Sequence, residues 1–352
     1  VVLSAAPADQ VLARVGSETI TQSQLKEREA GTKASGGKPK LEWLLEDLIS
    51  DSLLAQDGFK AGVAKDPEVV ARVAAERARL AAALLMEKEI NGPVKVNDEQ
   101  LKEHYHSSGD TVRYNLIVVS SEEEAAAMLK RLRAGGSIAS EAARSLDPLA
   151  AAKGGDSGVK MRGQLEKSLA EAVFAAPLNA FTGPVNLELG FGVVQVVSRQ
   201  LADPKGLEVR RAELRSFVER QLRGQFRQHF LSQLRSAGKV KLDEDFLRST
   251  GTRLTATPAE QQAVIATVAG RPILYPEVLA VAVATVGGRE GSHFSGLSVK
   301  QEFAWTVVDR ALLEAAAIER GFGKDPSVEA PLRRFEREEV GRENAKRIRA
   351  TV

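Results

Sequence analysis

Gly154-Gly155-Asp156-Ser157-Gly158, followed three residues later by Arg162-Gly163-Gln164-Leu165, is the stretch on which the fold is read. Its glycines make positive-φ backbone cheap and predict a tight turn rather than a regular element. Upstream, residues 112–119 read as a strand, because Leu116, Ile117, Val118 and Val119 are apolar and β-rich. Ser121 with Glu124 makes a capping box that opens a helix through Arg133, stopped by Gly135 and Gly136. A short helix is predicted over 138–145. Downstream of the turn comes a helix over 165–176, then two strand-like pieces near Val185 and over 193–197. A strand, then helices, then two strands joined by a hairpin is a compact α+β domain.

The flanks are helical. Residues 11–20 read as a short strand or extended arm before a helix from Ser23, and 33–40 as a Gly/Lys/Pro linker. Leu41, Leu44, Leu45, Leu48, Ile49 and Leu53 recur at helical spacing. Asp66 and Pro67 form an N-cap and first-turn signal for a helix to about Ile90, stopped by Gly92 and Pro93, and Asn97 caps a helix over 98–106. Beyond the α+β region, Leu214, Phe217, Val218, Leu222, Phe226, Phe230 and Leu234 line a long helix ended by Gly238. Both stripes are expected mainly in the core, with the alternative that parts line a cleft for unfolded chains.

The chain also repeats itself. The signal at Lys65, Asp66 and Pro67 returns 259 residues on as Lys324, Asp325 and Pro326, and at that offset Leu53, Leu54 and Val69 fall on Leu312, Leu313 and Val328. Ala13, Val15 and Ile20 return 253 residues on as Ala266, Val268 and Ile273, and Trp43 and Trp305 take similar places. This reads as a duplicated strand-plus-helices module; two copies do not make a solenoid. The predicted organisation is a helical module over 1–110, the α+β domain over 111–201, a helical segment over 202–250 that completes the body, and a second copy of the first module over 260–352.

Several blocks in order carry a family resemblance. Residues 112–118, Ser145-Leu146-Asp147-Pro148, the glycine stretch with Arg162-Gly163-Gln164-Leu165, Gly183-Pro184-Val185 and Gly190-Phe191-Gly192-Val193-Val194 resemble the successive motifs of parvulin-type peptidyl-prolyl isomerases. The surrounding helices resemble the bodies of SurA-like and PrsA-like foldases. The resemblance implies a mostly helical chaperone body carrying one parvulin-like α+β domain. It also implies an exported protein of the periplasm or cell envelope, with unfolded or extended polypeptides as clients. Rotating an X-Pro bond breaks amide resonance against a barrier of about 18–20 kcal/mol. No bond is made or cut, so the chemistry needs an apolar cup and a dry polar floor. By the resemblance, the floor positions fall on Asn115, Gly192 and Asp147, and only Asp147 keeps the family's residue type. The cup falls on Leu165, Leu169 and Ser157, with Phe174 beside them. Neither family histidine is present, and losing one preorganised donor typically costs on the order of 10²–10³ in rate. The expectation is therefore a holdase for unfolded envelope or outer-membrane proteins with weak or no isomerase activity. The alternative is an active isomerase that tolerates Asn115 and Gly192. Asp147 also has a simpler reading, as the starter of the turn before Pro148.

Composition narrows the remaining classes. With 352 residues and 43% hydrophobic content the chain can build two or three cores, and a formal charge of +2 gives no polyanion-binding surface. The arginines between 333 and 349 are interleaved with glutamates, as on a solvated helix face. Cysteine is absent, which excludes a disulfide frame, a thiolate nucleophile and a cysteine-based zinc site. His104 and His106 lack the i,i+4 spacing of helical metal ligands, and no cofactor or metal is expected. No apolar run reaches 18 residues, so no membrane span is predicted. Residues 1–8 read as the remnant of a removed signal peptide or a chain boundary. The second copy runs out near 345–352, where the chain ends or leads into a second α+β domain. A homodimer through the duplicated module is a candidate assembly.

Overall fold

The structure is a computed structural model that describes residues 9–38, 40–286 and 294–351. The expectation for residues 1–8, and His293, lie outside the described residues. In chain order the elements are β1 (Val11–Val15), β2 (Glu18–Thr21), α1 (Gln22–Ala34), α2 (Leu41–Lys60), α3 (Pro67–Met86), α4 (Asp98–Gly109), β3 (Thr111–Val119), α5 (Glu122–Arg133), α6 (Ile138–Ala142) and α7 (Pro148–Ala152). They continue as β4 (Asp156–Met161), α8 (Lys167–Ala175), β5 (Phe181–Leu187), β6 (Gly190–Gln200), α9 (Pro204–Ala237), α10 (Glu244–Ser249), β7 (Val264–Val268), β8 (Arg271–Leu274), α11 (Tyr275–Val286), α12 (Leu297–Glu319) and α13 (Pro326–Ala350). The protein is mostly helical with one sheet domain. It divides into two compact units, one of Val94–Phe226 and one of Val1–Pro93 with Arg227–Val352. Among the described residues no helix is long and apolar enough to cross a membrane.

The Val94–Phe226 unit holds a four-stranded antiparallel sheet in the order β4-β3-β6-β5. The glycine stretch differs from its predicted turn: from Asp156 it is a strand, pairing Val112 with Lys160 and Arg113 with Val159. Gly154, Gly155 and Gly158 all have positive φ, so glycine conceals the strand from a propensity reading while allowing its entry. Beside the sheet, α4 and the start of α9 form a separate apolar cluster of Leu101, Tyr105, Leu207, Leu214 and Val218.

The other unit is built from two β-hairpins and long helices. Residues 11–20, expected as one strand or arm, form the β1–β2 hairpin, and α1 starts at Gln22 under a Thr21 capping box. In that hairpin Ala13 faces Ile20 and Val15 faces Glu18; in the β7–β8 hairpin Ala266 faces Ile273 and Val268 faces Arg271. Gly62 and Gly321 both take left-handed φ, each before a 3-10 turn that ends at an Asp-Pro cap. Helix α13 runs against both α2 and α3, and α12 against α3. The ends of α3 and α13 are tied reciprocally: Lys88 bonds the cap residue Asp325 at 2.9 Å, and Arg347 bonds the cap residue Asp66.

The leucine stripe of α2 does not supply its buried face. Leu44 is buried, but the rest of that face is Ser52, Ala55 and Gly58, small enough for α13 to approach closely at Val340, Gly341 and Asn344. Trp43 and Leu53 remain 59% and 54% exposed. In α9 likewise Leu214, Val218 and Leu231 are buried while Phe217 and Phe226 are exposed.

A Cβ on Gly58 would stand 2.8 Å from Val340 Cγ1 and 3.0 Å from Asn344 Cβ. In an isolated helix Gly→Ala gains about 1 kcal/mol, whereas overpacking costs about 1–3 kcal/mol. Gly58→Ala is therefore expected to lower stability by about 1 kcal/mol, seen as a lower urea midpoint at unchanged slope; a raised midpoint would show that α13 can yield.

Candidate functional site

The site follows from strand alternation. On β3, Val112, Tyr114, Leu116 and Val118 pack on one face with Leu169 and Val173 of α8, with Leu165 and Phe174 at the edge of that cluster. Ile117 and Val119 pack on the opposite face with Ala125, Met128 and Leu132 of α5. On β6, Val194 and Val196 join the first set and Val193 the second. Period-two alternation then puts Gly192 on the α8 face and Asn115 on the α5 face.

Local contacts agree. A Cβ on Gly192 would stand 2.7 Å from Leu187 Cδ1 and 3.1 Å from Leu116 Cδ1. Asn115 pairs across the sheet with Gln195, its Nδ2 donating to Gln195 Oε1 at 3.0 Å. Asn115 and Gly192 are thus not brought together. The β3 residue that reaches over Gly192 is Leu116, and with Leu187 it closes the floor with hydrocarbon.

Asp147 and Ser157 do converge, on a residue that the sequence reading passed over. Tyr114 is buried at the centre of the α8 face, with its hydroxyl near Ser157. Burial pushes the phenol pKa up and the Asp147 charge adds to this, against the opposing effect of Ser157. Its inward period with Leu116 and Val118 was the available signal. Asp147 is occupied locally as the N-cap of α7, Oδ1 accepting from Leu149 N at 2.9 Å and Ala150 N at 3.2 Å. Ser145 Oγ holds this turn to the sheet, accepting from Val118 N at 3.0 Å and Asp147 N at 3.2 Å.

A charged hub fixes the edge of the cup. The Arg162 guanidinium lies 3.7 Å from the Phe174 ring centroid and donates through Nε and Nη2 to Asp110 Oδ2 at 3.0 and 2.9 Å. Asp110 is 1% exposed, and its Oδ1 accepts from Ala202 N at 2.9 Å and meets His106 Nδ1 at 3.1 Å. Burial alone would raise the Asp110 pKa; the Ala202 amide, His106 and Arg162 outweigh it and hold the carboxyl below its ordinary value. His104 stacks on Phe217 at 4.9 Å. The cup is lined by apolar side chains of β3, β6 and α8. Its inward polar groups are the Tyr114 and Ser157 hydroxyls, with Asp147 engaged in its cap.

Residues 96–211 match the PPIC-type PPIASE domain family. The foldase protein PrsA of Geobacillus sp. (strain WCH70) is 28% identical over 122 residues, which are 34% of this chain and 44% of that protein. The foldase protein PrsA of Halalkalibacterium halodurans is 31% identical over 121 residues, 33% of this chain and 36% of that protein. The chain thus spans less than half the length of these two curated relatives. Among solved structures, the peptidylprolyl isomerase PrsA of Bacillus anthracis is similar with a TM-score of 0.33 at 16% identity, covering 60% of this chain and 86% of that one.

Two substitutions test the geometry. Asp110→Ala strands the Arg162 guanidinium and is expected to cost about 3 kcal/mol in urea unfolding, at the low end of broken buried pairs because Arg162 is partly exposed. With its folded pKa lowered, Asp110 contributes stability that is complete above its unfolded pKa of about 3.9 and is lost as pH falls through the folded value. The variant should therefore show a shallower acid limb. Gly192→His, which restores a family residue type, is expected to cost about 1–3 kcal/mol by overpacking against Leu187 and Leu116; Leu187→Ala in the same chain should recover part of it.

Proposed function

We propose for this chain, whose residues 96–211 match the PPIC-type PPIASE domain family, the function of an exported foldase that holds unfolded envelope or outer-membrane polypeptides. In this reading the parvulin-like domain acts as a client-contact scaffold of weak or no isomerase activity. The observation that carries it is the floor of the cup. Gly192 supplies no side chain, and Leu116 with Leu187 fills the space above it, so a twisted amide would meet hydrocarbon where a rate-enhancing donor belongs. The Tyr114 hydroxyl favours the second reading, a slow isomerase, because it is a buried donor inside the cup.

Holding clients needs exposed apolar surface, and Trp43, Leu53, Phe217 and Phe226 offer it on long helices. We read the second half of the helical body as a duplicate of the first. Support comes from the matched registers of the two hairpins and the matched left-handed glycine, 3-10 turn and Asp-Pro cap. In that reading the copies pair within one chain. A homodimer through this module would then need a face other than the α3–α13 contact, and mass in solution with and without residues 260–352 tests it.

Two assays separate the readings. On a proline-containing peptide the protein is expected to accelerate isomerisation little above background, while suppressing aggregation of an unfolded outer-membrane protein at near-stoichiometric ratio. Strong catalysis abolished by Tyr114→Phe or Asp147→Ala would replace the scaffold reading with the enzyme. A melting curve controls for Asp147→Ala, since losing an N-cap costs about 1 kcal/mol by itself.

A further inference from the structure

The helical body has an open cleft of about 940 Å³ beside the β7–β8 hairpin, and polar side chains bond one another in the corresponding place beside the β1–β2 hairpin. The cleft runs between α3, α12 and the tip of the β7–β8 hairpin, with Ala75, Ala78, Ala311 and Ala315 among its lining residues and Arg271 and Arg310 on its rim.

At the offsets of 253 and 259 residues, each of these alanines has a polar counterpart. Ala315 corresponds to Gln56, whose Nε2 donates to Val15 O at 2.7 Å and to Ser52 Oγ at 3.4 Å. Ala311 corresponds to Ser52, and Ala78 to Arg337, which bonds Glu18 and Ser52. Ala75 corresponds to Arg334, which is paired with Glu27 and Glu338. Gln56 also needs glycine opposite it, since a Cβ on Gly16 would stand 2.8 Å from its Oε1. The counterpart of Gly16 is Ala269, held at φ +47°. One half is plugged by long polar side chains; in the other the plug is cut back to alanine.

Charge is inverted at the same time. Glu18 and Asp51 of the plugged half, which face arginines, correspond to Arg271 and Arg310. The helix opposite these arginines presents Ala75 and Ala78 together with Glu76, whose carboxylate is already engaged by Arg79 at 2.6 Å. Arg271 is shared between Glu277 and Glu314, at 2.5 and 3.5 Å. Glu314 also serves Arg310, and burial pushes its carboxyl pKa up, which weakens it as their anionic partner.

We propose that this cleft is a client site taking an extended polypeptide segment in which an apolar residue, seated on the alanines, is flanked by an acidic residue that meets Arg271 and Arg310. The proposal rests on the chaperone reading above and locates its binding surface. The occupant is chosen by charge complementarity: among the described residues Arg310 has no ion-pair partner within 4 Å, so a carboxylate meets it, and a hydrocarbon fills what the lost plug leaves. Association should weaken with salt, because the rim is exposed.

The full chain is titrated with reduced, carboxymethylated α-lactalbumin, and with two labelled peptides that differ only in Asp or Lys beside a central leucine. Wild type is expected to bind the protein probe and to prefer the Asp peptide by about three- to tenfold. Ala269→Gly with Ala315→Gln transplants the plug and its glycine and should weaken both bindings by about tenfold. Arg310→Glu, an exposed change that leaves packing intact, should reverse the peptide preference. If wild type binds the probe but both variants behave as wild type, the cleft is not the site and the chaperone reading stands. If wild type binds neither probe nor peptide, both fall.

Discussion

Each of the two long helices α3 and α13 begins where the other ends, and the helical body depends on that antiparallel reciprocity. The Asp-Pro caps set the start of each helix, and each cap carboxylate is met by a basic side chain from the far end of its partner. Between these ties Arg72 pairs with buried Glu339 and Arg77 with Glu329, each at 2.7 Å, while Val69 packs on Val340, and on the adjoining α2 Gly58 lies beneath Asn344. Close backbone approach gives dense packing that large side chains would prevent. It also leaves large apolar residues of α2 without a place inside, so the same constraint that builds the body exposes Trp43 and Leu53.

In the sheet unit the governing constraint is the two-residue period of β3 and β6. It gives one face to α5 and the other to α8, and a shift by one residue moves a side chain from cup to back wall. The consequence is plain at Asn115 and Leu116. The family blocks fix the order of strands and helices, but the face of each residue is decided by pairing with β6, where the register shifts between Arg113 and Tyr114.

Much of this was legible from residues. Capping pairs such as Ser121 with Glu124 and Asp66 with Pro67 act locally, so helix starts are written in short motifs. The glycine turn was legible as punctuation, but not the strand within it, because β4 is held by its pairing with β3. Leu165, Leu169 and Phe174 were legible as a cup only through the family resemblance, with Leu169 and Phe174 on α8 and Leu165 just before it. Tyr114 and Leu116 share the apolar period of β3 with Val118, which marks them as inward, but nothing local tells that this face of the strand meets α8. The leucine stripe of α2 lies only partly in the core, with Leu44 buried, Leu45, Leu48 and Ile49 half-buried and Leu41 and Leu53 exposed, for a related reason. Periodicity finds an apolar face, but the partner helix chose the neighbouring face of Ser52, Ala55 and Gly58.

The joining of both chain ends in one body has a consequence in time. Arg72 is bonded to Glu343, 271 positions further along the chain. At a synthesis rate of about 5–20 residues per second, α2 and α3 spend on the order of tens of seconds without their packing partners. The sheet unit, whose contacts all lie within the middle of the chain, has its own partners well before that. A molecule of this topology passes through a stage in which a folded sheet domain trails two orphaned amphipathic helices. For that interval its own N-terminal segment presents unsatisfied apolar surface to the surroundings.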